Sequence, residues 1–400
     1  MLDVPLIVSA DDHVVEPPDL WQDRLPAKYS DRAPQVKRRH LRFVGGTRGR
    51  EWVEDENAPE CDAWHYDDAV IPLSRLVAAV GMDEADVDVE VARYEDIHLG
   101  TYDQKQRLAD MDANHIEAAL QFPNVFRFAG QTFSERKDKE LALLCIKAYN
   151  DWVIETWGAG PAKGRLLPVT IIPLWDRDLA RDELLRCADK GSFLVSFPEN
   201  PYPLGFPSFY TDHWDPFFKA CEETGTVINM HIGSSSRTAH ATPEAPYIVT
   251  STQTFVNSQG SLLDLIFSGT LERHPNLVLS YAESQIGWLP YILERADKLW
   301  AERADNDFGS SLPIPPTQYL PGRVFFCMYD DEVGLRNRDL IGMDQITFET
   351  DYPHADTTFP HTKRVFGEIC DSAGLSSQER YKLARGNIIR GYGLNRYGLR

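Results

Sequence analysis

Residues 6–17, LIVSADDHVVEP, form the stretch that decides the fold. The run begins with three apolar residues and is too short for a helix, so it predicts a strand buried on both faces, as in a parallel sheet. Alternation along a strand places Asp11 and His13 on one face and Asp12 on the other. A carboxylate and an imidazole side by side can bind one divalent metal ion. The alternative is a capping aspartate and an ordinary polar histidine, and only later strands that end in the same way favour the metal.

From residue 104 onward, segments of strand composition alternate with segments that have apolar residues at helical spacing. Together with the first strand, the pattern gives eight strands. Such alternation predicts an α/β fold, a closed parallel (β/α)₈ TIM barrel with its catalytic face at the carboxyl ends of the strands. The later strands are predicted in IEAALQFPN, LLPVTIIPLWD, SFLVSFPEN, TVINMHIGSSS, NLVLSYAES, RVFFCMYDDE and QITFETDYPHAD.

Residues 17–100 interrupt this alternation with segments rich in turn-forming and acidic residues. HLRFVGGTRGREWVED predicts a hairpin, IPLSRLVAAV predicts a short helical stretch, and DEADVDVEVARYED is acidic and is expected to be exposed. No linker composition separates this segment from the rest of the chain. We therefore expect a single domain, 1–400, in which 17–100 is inserted after the first strand as a flap over one end of the barrel.

Composition excludes several classes of protein. The chain of 400 residues has a formal net charge of -20 at pH 7 and a pI near 5.0, so it lacks the basic surface that nucleic acids and anionic membranes require. Its six cysteines form no CxxC pair, and reduced core thiols are expected rather than disulfides or a zinc knot. The sequence shows neither a signal-peptide pattern nor an apolar run long enough for a bilayer. We therefore expect a cytoplasmic protein.

Side chains of the types that bind metal ions collect where the predicted strands end. In a barrel these strand ends are far apart in sequence but open on one rim. Carboxylates outnumber imidazoles in the set, which is larger than one tetrahedral ion uses. The candidates are Asp11, His13 and Glu16 after the first strand, His231 after the fifth, Glu283 after the sixth, and Asp351 with His354 after the eighth.

Four segments together resemble a known family: SADDHVVEPPDLW, NMHIG, HPNLVLSYAESQIGWLPYILERAD and FETDYPHAD. In their order and spacing the chain resembles the amidohydrolase superfamily, specifically the amidohydrolase-related branch of aminocarboxymuconate-semialdehyde decarboxylase-like enzymes. The resemblance covers nearly the whole chain and implies a metal-dependent enzyme. It places the family's first-strand metal motif on Asp11 and His13 and its fifth-strand histidine on His231. The eighth-strand aspartate, which is also the acid/base position, falls on Asp351.

The chain departs from the family pattern at three positions. Many relatives have His-x-His or Glu-x-His where this chain has Asp11 and His13, and many have histidine where it has Glu283. SFLVSFPEN contains no lysine that could be carbamylated and bridge two metals. Harder ligands favour manganese or iron, although zinc tolerates mixed sites. We expect one divalent ion (Zn, Mn or Fe), with Glu16 and Glu283 orienting imidazoles. Alternatively, one of these carboxylates bridges two ions.

The ligand types and the resemblance predict a hydrolase or a non-oxidative decarboxylase that acts on a small organic acid or a cyclic substrate. Asp351 and His354 are the candidates for proton transfer. Arg127 and Arg237 follow strand ends and could clamp a carboxylate, although a surface position is the simpler interpretation. Trp21 could form an apolar wall of the substrate site, or it could simply pack. A homodimer is expected by analogy.

Two other interpretations stay open. The carboxylate-rich set and Glu283 would also suit a dinuclear iron or manganese monooxygenase on the same barrel, a use known among amidohydrolase-like proteins. A metal-binding partner subunit of a hetero-oligomer is the non-enzymatic alternative, and the competent residue at every expected ligand position argues against it. Metal analysis combined with dioxygen-consumption assays would distinguish the three.

Overall fold

The computed structural model describes residues 4–46, 49–82, 90–236, 242, 245–303 and 312–400. Each strand predicted from the sequence contains an observed strand, although most are shorter than the predicted segment. In chain order the strands are β1 Ile7–Val14, β2 Gln35–Gly46, β3 Gly49–Glu54, β4 Glu60–Tyr66, β5 Ala69–Pro72, β6 Ile116–Pro123, β7 Leu166–Pro168, β8 Leu194–Ser196, β9 Val227–His231, β10 Leu279–Ala282, β11 Val324–Met328 and β12 Ile346–Phe348.

Helices follow the barrel strands as the sequence predicts. The spacing that favours a long helix at residues 137–158, for example, becomes α4, whose first turn is capped by the side chain of Asp138. In chain order the α-helices are α1 Leu20–Arg24, α2 Gln104–Ala113, α3 Gln131–Ser134, α4 Lys139–Trp152, α5 Arg177–Asp189, α6 Asp215–Thr224, α7 Tyr247–Thr252, α8 Val256–Phe267, α9 Thr270–Arg273, α10 Leu289–Arg303, α11 Glu332–Arg336, α12 Arg338–Ile341, α13 Thr362–Ser372, α14 Ser377–Tyr381 and α15 Asn387–Gly391.

Eight parallel strands form the barrel in the order β1, β6, β7, β8, β9, β10, β11, β12. Between β7 and β8 the pairing continues through a bridge between Thr170 and Val195. The ring closes between β1 and the segment after β12. There the amide of Asp351 donates to the carbonyl oxygen of Asp11 at 2.9 Å. The predicted parallel barrel is therefore confirmed.

The barrel interior is packed, as in other barrels of this kind. One apolar cluster takes side chains from the barrel strands, among them Val8, Leu120 and Phe325, and adds Tyr392 from the C-terminal segment. The Tyr392 ring lies 5.4 Å from that of Phe325, near the start of β11. The amino-terminal end of the barrel is therefore filled, and the carboxyl ends of the strands are left for a site. None of the described helices is both long and apolar enough to cross a bilayer.

Between β1 and β6 the chain forms a four-stranded antiparallel sheet in the order β3, β2, β4, β5. The predicted hairpin is confirmed by the antiparallel pairing of β2 with β3. The short helical stretch predicted at residues 71–80 is confirmed only as the 3₁₀ helix Arg75–Val77, because Ala69–Pro72 pairs with β4 as a strand. Half of the acidic stretch at residues 83–96 lies outside the described residues. In the described half Val91, Ala92 and Tyr94 are buried, which corrects the expectation that the stretch is exposed.

The inserted segment touches the loop that follows β12. The amide of Ala79 donates to the carbonyl oxygen of Pro353 at 2.8 Å, and the amide of Ala355 donates to that of Leu76 at 3.0 Å. These bonds attach the insertion to the carboxyl-terminal rim of the barrel. Whether it works as a flap stays a prediction.

Candidate metal centre

The two strand ends at the centre of the rim bring three ligand-type side chains together. Asp11 and His13 project from β1 on one face, and His231 ends β9; all three are fully buried. The Nε2 atoms of His13 and His231 lie 3.0 Å apart. The carboxylate oxygens of Asp11 lie 3.3 Å from Nε2 of His13 and 3.1 Å from Nε2 of His231. One ion could contact all three groups.

Backbone contacts orient both imidazoles towards this point. Nδ1 of His13 faces the carbonyl oxygen of Pro123 at 3.3 Å, and Nδ1 of His231 faces that of Ile232 at 2.7 Å. Because a carbonyl oxygen can only accept, the hydrogen of each ring is assigned to Nδ1. Nε2 is then the atom that each ring offers to a metal, an arrangement common in metal sites.

The loop after β12 adds Asp351 and His354 to the same rim. An oxygen of Asp351 lies 3.5 Å from Nε2 of His13 and 2.9 Å from Nδ1 of His354. The rings of His13 and His354 stack with their centroids 3.9 Å apart. His13, Asp351 and His354 thus make a second group that could contact one ion, and it shares His13 with the first. Asp351 has a left-handed backbone (φ 48), and the hydrogen bond that its N–H donates to the carbonyl oxygen of Asp11 helps to hold this conformation.

The donor set fits a divalent cation. Both carboxylate oxygens of Asp11 and of Asp351 are buried and receive no hydrogen bond of good geometry from the described part of the chain. Burial and the imidazole of His354 hold the pKa of His13 well below its usual value, so that His13 is neutral. Buried carboxylate oxygens that accept no such hydrogen bond are stabilised by a positive counter-charge, which the neutral ring of His13 cannot supply. A divalent ion supplies it with the ligand types that such ions bind.

Two further carboxylates surround this group. An oxygen of Glu283 lies 3.5 Å from Nε2 of His231. The backbone amide of Glu283 donates to the carboxylate of Glu349 at 3.0 Å, and the thiol of Cys327 also contacts that carboxylate. Burial raises the pKa of Glu283 to about 8 and raises those of Glu349 and Asp351, with repulsion from neighbouring carboxylates adding to it. The rim is therefore rich in carboxyl groups that burial and mutual repulsion make harder to ionise.

The same carboxylates favour the protonated, positively charged form of His231. Burial by itself would lower its pKa, but Asp11 and Glu283 outweigh burial and raise the pKa of His231 to about 9. Metal binding at Nε2 requires loss of that proton, so a bound ion and a proton compete for this nitrogen.

Glu16 has partners of another kind. Its two carboxylate oxygens accept hydrogen bonds from the backbone amides of Asn124 (3.1 Å) and Val125 (2.9 Å). Glu16 belongs to neither group of candidate metal ligands. Its position three residues beyond His13 carries it off the metal-facing side and onto the loop after β6. The structure thus gives Glu16 a loop-anchoring contact in place of the predicted contact with the metal or its imidazoles.

Trp21 lies in the hydrophobic core beneath the insertion. It is fully buried, its indole N–H donates to the carbonyl oxygen of Cys145 at 3.0 Å, and its ring packs against Trp64 and Phe126. These contacts match the packing alternative of the sequence analysis. A contact between Trp21 and substrate stays a prediction without support from its surroundings.

The two predicted arginine clamps differ in what the structure describes. Arg127 has a left-handed backbone (φ 67) after β6, and its guanidinium pairs with the carboxylate of Glu135. Arg237 lies outside the described residues. A substrate-binding role for either arginine stays a prediction.

Three residues of the rim were missed by the sequence analysis. Glu349 precedes Asp351 by two residues, so strand alternation could have placed both on the same side. Glu199 follows β8 and accepts from the hydroxyl of Ser258 at 2.6 Å, and burial raises its pKa to about 7. Phe128 lies with its ring 3.9 Å from that of His231. No sequence pattern distinguishes Phe128 from the other loop aromatics.

Comparison of the sequence with protein-family models agrees with the buried carboxylates and imidazoles of the rim. The model of the amidohydrolase family matches residues 95–394, three quarters of the chain. The chain belongs to the amidohydrolase family. Family membership and the two ligand groups confirm the prediction of a metal-dependent enzyme that uses a divalent ion.

Known proteins similar to this amidohydrolase include aromatic-acid decarboxylases. A gamma-resorcylate decarboxylase from Rhizobium sp. (strain MTP-10005) is 24% identical over an alignment of 310 residues, which covers 72% of this chain and 86% of that protein. An amidohydrolase from Mycobacterium avium subsp. paratuberculosis K-10 superimposes with a TM-score of 0.67 at 20% identity, over 98% of this chain and 100% of that one. A dihydroxybenzoic acid decarboxylase from Polaromonas sp. JS666, with bound manganese and the inhibitor 2-nitroresorcinol, gives a TM-score of 0.60 at 19% identity over 74% and 87%.

Proposed function

We propose that this amidohydrolase catalyses the non-oxidative decarboxylation of a small aromatic acid with the help of a divalent metal ion. The observation that carries the proposal is the buried group of Asp11, His13 and His231 on the rim, next to a second group in which Asp351 shares His13. Relatives that act on gamma-resorcylate and dihydroxybenzoic acid support this reaction over hydrolysis. A divalent ion, when bound, supplies positive charge that stabilises negative charge on the oxygens of the substrate.

The reaction needs one proton, for which Asp351 and His354 are suited. A proton adds to the ring carbon that carries the carboxylate. The bond between that carbon and the carboxylate carbon then breaks, its electron pair restores the ring, and carbon dioxide leaves. We assign delivery of the proton to Asp351, whose carboxylate faces the buried point. His354, 2.9 Å away through Nδ1, holds the Asp351 side chain in place.

The walls of the site suit a flat, partly apolar substrate. Phe128 is partly exposed, and its ring centroid lies 3.9 Å from the ring of His231, 4.9 Å from that of His13 and 5.8 Å from that of His354. A ring of substrate that approaches the metal-binding atoms would pack against Phe128. Within a single domain, 1–400, the insertion 17–100 would close over this substrate as a flap, and Arg127 or Arg237 would pair with its carboxylate.

Carbon dioxide release tests the proposal. The protein is loaded with manganese and assayed with 2,6-dihydroxybenzoate and 5-carboxyvanillate, with the decarboxylated phenols measured by chromatography. The wild type should release carbon dioxide without consuming dioxygen. Asp351→Asn should lower kcat by at least about 100-fold, as expected for loss of a general acid. Asp339→Asn, the same change on an exposed helix position, should retain wild-type activity. A metal-loaded wild type that releases no carbon dioxide from a panel of hydroxybenzoic acids overturns the proposal.

A second candidate function, oxygen activation by two iron or manganese ions, is favoured only by the carboxylate of Glu283 beside His231. Glu283→Gln separates the two functions. If Glu283 only orients His231, the variant should keep about one ion and lose roughly 10–100-fold in metal affinity or activity. We expect this result. A fall from two ions to one, with loss of any dioxygen consumption, would instead support the dinuclear function. Glu294→Gln, at an exposed position of α10, is the control that should change neither.

A further inference from the structure

Arg107 is a buried cation for which the proposed reaction has no use. It lies in the first turn of α2 and is fully buried. Its guanidinium lies behind the metal-facing side of β1. A charged group in this position costs free energy unless its hydrogen bonds are satisfied, so its contacts should indicate its role.

All three nitrogens of this guanidinium donate hydrogen bonds. Nη2 donates to the carbonyl oxygen of His13 at 2.6 Å, Nη1 donates to the side chain of Gln121 at 3.0 Å, and Nε donates to the carbonyl oxygen of Gly100 at 2.8 Å. The guanidinium also lies 3.9 Å from the centre of the Tyr352 ring, in cation–π contact. Arg107 therefore contacts the backbone of His13, a candidate metal ligand. It also contacts the ring of Tyr352, the residue after the candidate ligand Asp351.

The two segments that Arg107 touches are also bonded to each other. The amide of His13 donates to the carbonyl oxygen of Tyr352 at 2.6 Å, and the amide of Asp351 donates to that of Asp11 at 2.9 Å. Asp12, on the opposite face of β1 from its neighbours, accepts from the hydroxyl of Thr350 and faces Arg107 at 3.9 Å. Residues 11–13 and 350–352 thus form one unit, with Arg107 beneath it.

A second set of contacts keeps Tyr352 in that unit. Its hydroxyl donates to Asp110 at 2.6 Å, and Asp110 also pairs with His98 at 2.8 Å. Asp110 lies on the same helix as Arg107, three residues on. One helix therefore holds both the ring of Tyr352, through Asp110, and the carbonyl group of His13, through Arg107.

We propose that Arg107 is a positioning residue that sets the geometry of the metal centre. It holds the His13 carbonyl and the Tyr352 ring in one arrangement, so that Asp11, His13 and Asp351 offer their ligand atoms to the same ion. A planar guanidinium with donors in a fixed fork suits this role, whereas the single ammonium of lysine cannot reproduce it. The proposal does not depend on the identity of the substrate or of the reaction.

The test compares Arg107→Met and Arg107→Lys with Arg323→Met. Arg323 is a half-buried arginine that donates to the carbonyl oxygens of Leu271 and His274, at the opposite end of the barrel. Its replacement removes a similar set of bonds without touching the metal centre. Cobalt and manganese affinity are measured by competition with a chelator, the visible spectrum of the cobalt-loaded full chain is recorded, and stability is measured on the metal-free chain.

We expect Arg107→Met to weaken metal binding by about 10-fold or more and to change the cobalt spectrum. Arg107→Lys should fall between it and the wild type. Arg323→Met should lose stability but keep the affinity and spectrum of the wild type. If Arg107→Met does not fold, the lysine variant decides. Wild-type affinity and spectrum in a folded Arg107 variant, or failure of both variants to fold, would show that Arg107 serves folding alone and overturn the proposal.

Discussion

At the scale of single residues, Glu16 shows how a carboxylate can be used away from the metal. It is fully buried, and its carboxylate oxygens accept hydrogen bonds from backbone amides of the loop that carries Phe128. Tyr94 and Tyr149 are the titratable groups that face it, and neither carries positive charge at neutral pH. Burial therefore outweighs the amide hydrogen bonds and raises the pKa of Glu16 from 4.5 to about 7.

This raised pKa predicts a pH-dependent contribution to stability. A carboxyl group with a higher pKa in the folded state favours folding when protonated, and this contribution is lost as the pH rises through about 7. Between pH 5 and pH 8, Glu16→Gln should therefore gain roughly 2–3 kcal/mol in unfolding free energy relative to the wild type. Urea unfolding of both proteins at the two pH values measures the difference. A difference that stays constant within about 0.5 kcal/mol would contradict the raised pKa.

At the scale of elements, the insertion joins the barrel through a short 3₁₀ turn, Leu99–Thr101, just before α2. Gly100 in this turn is packed so closely that an added Cβ would overlap the carboxylate of Asp110 and the hydroxyl of Tyr352. The guanidinium of Arg107 also donates a hydrogen bond to the carbonyl oxygen of Gly100 in this turn. Insertion, first barrel helix and the loop after β12 therefore meet at one glycine.

Gly100→Ala should destabilise the protein by about 1–3 kcal/mol, because the methyl group forces apart groups that hydrogen-bond to each other. Gly260→Ala is the matched control. Gly260 lies inside α8 with open space at its Cβ position, so alanine there should be neutral or stabilising by up to about 1 kcal/mol. Chemical denaturation of the two variants measures both values. Equal changes in unfolding free energy for the two variants would contradict this prediction, because they would show that the turn at Gly100 can rearrange to accept a methyl group.

At the scale of the whole molecule, the candidate metal centre draws on residues 11, 13, 231 and 351, which only folding brings together. A ligand that binds the folded chain and not the unfolded one stabilises it by mass action. Manganese should therefore stabilise this protein, and a chelator should reverse the effect. A homodimer stays a prediction, which light scattering would test.

Manganese at 100 times its dissociation constant should raise the unfolding free energy by about 2.7 kcal/mol. His231→Ala should abolish this gain while circular dichroism stays that of the wild type, because His231 ends β9 above the packed barrel core. His274→Ala removes a buried histidine that pairs with Glu222 and Asp215 far from the rim, so it should keep the full gain. A full gain in His231→Ala would exclude His231 as a ligand.

Much of the fold and part of the site could be predicted from local pattern. Strand composition and alternation are properties of short segments, so the eight barrel strands and the shared face of Asp11 and His13 follow from them. The insertion was harder to predict: the apolar run at residues 71–80 suits a helix, but pairing with β4 makes part of it a strand. Tertiary contacts outweighed local preference there.

The sequence by itself determined the barrel, the family, the need for a divalent ion and the strand ends that carry its candidate ligands. Only the tertiary structure decided which carboxylates face the candidate metal centre. The carboxylate of Glu16 accepts hydrogen bonds from the amides of Asn124 and Val125. The carboxylate of Glu349 lies on the rim and accepts one from the amide of Glu283. The physical reason is that a buried carboxylate takes whichever donor the fold brings within about 3 Å. Strand periodicity assigns a side chain to a face of the sheet, but the donor on that face comes from a distant part of the chain.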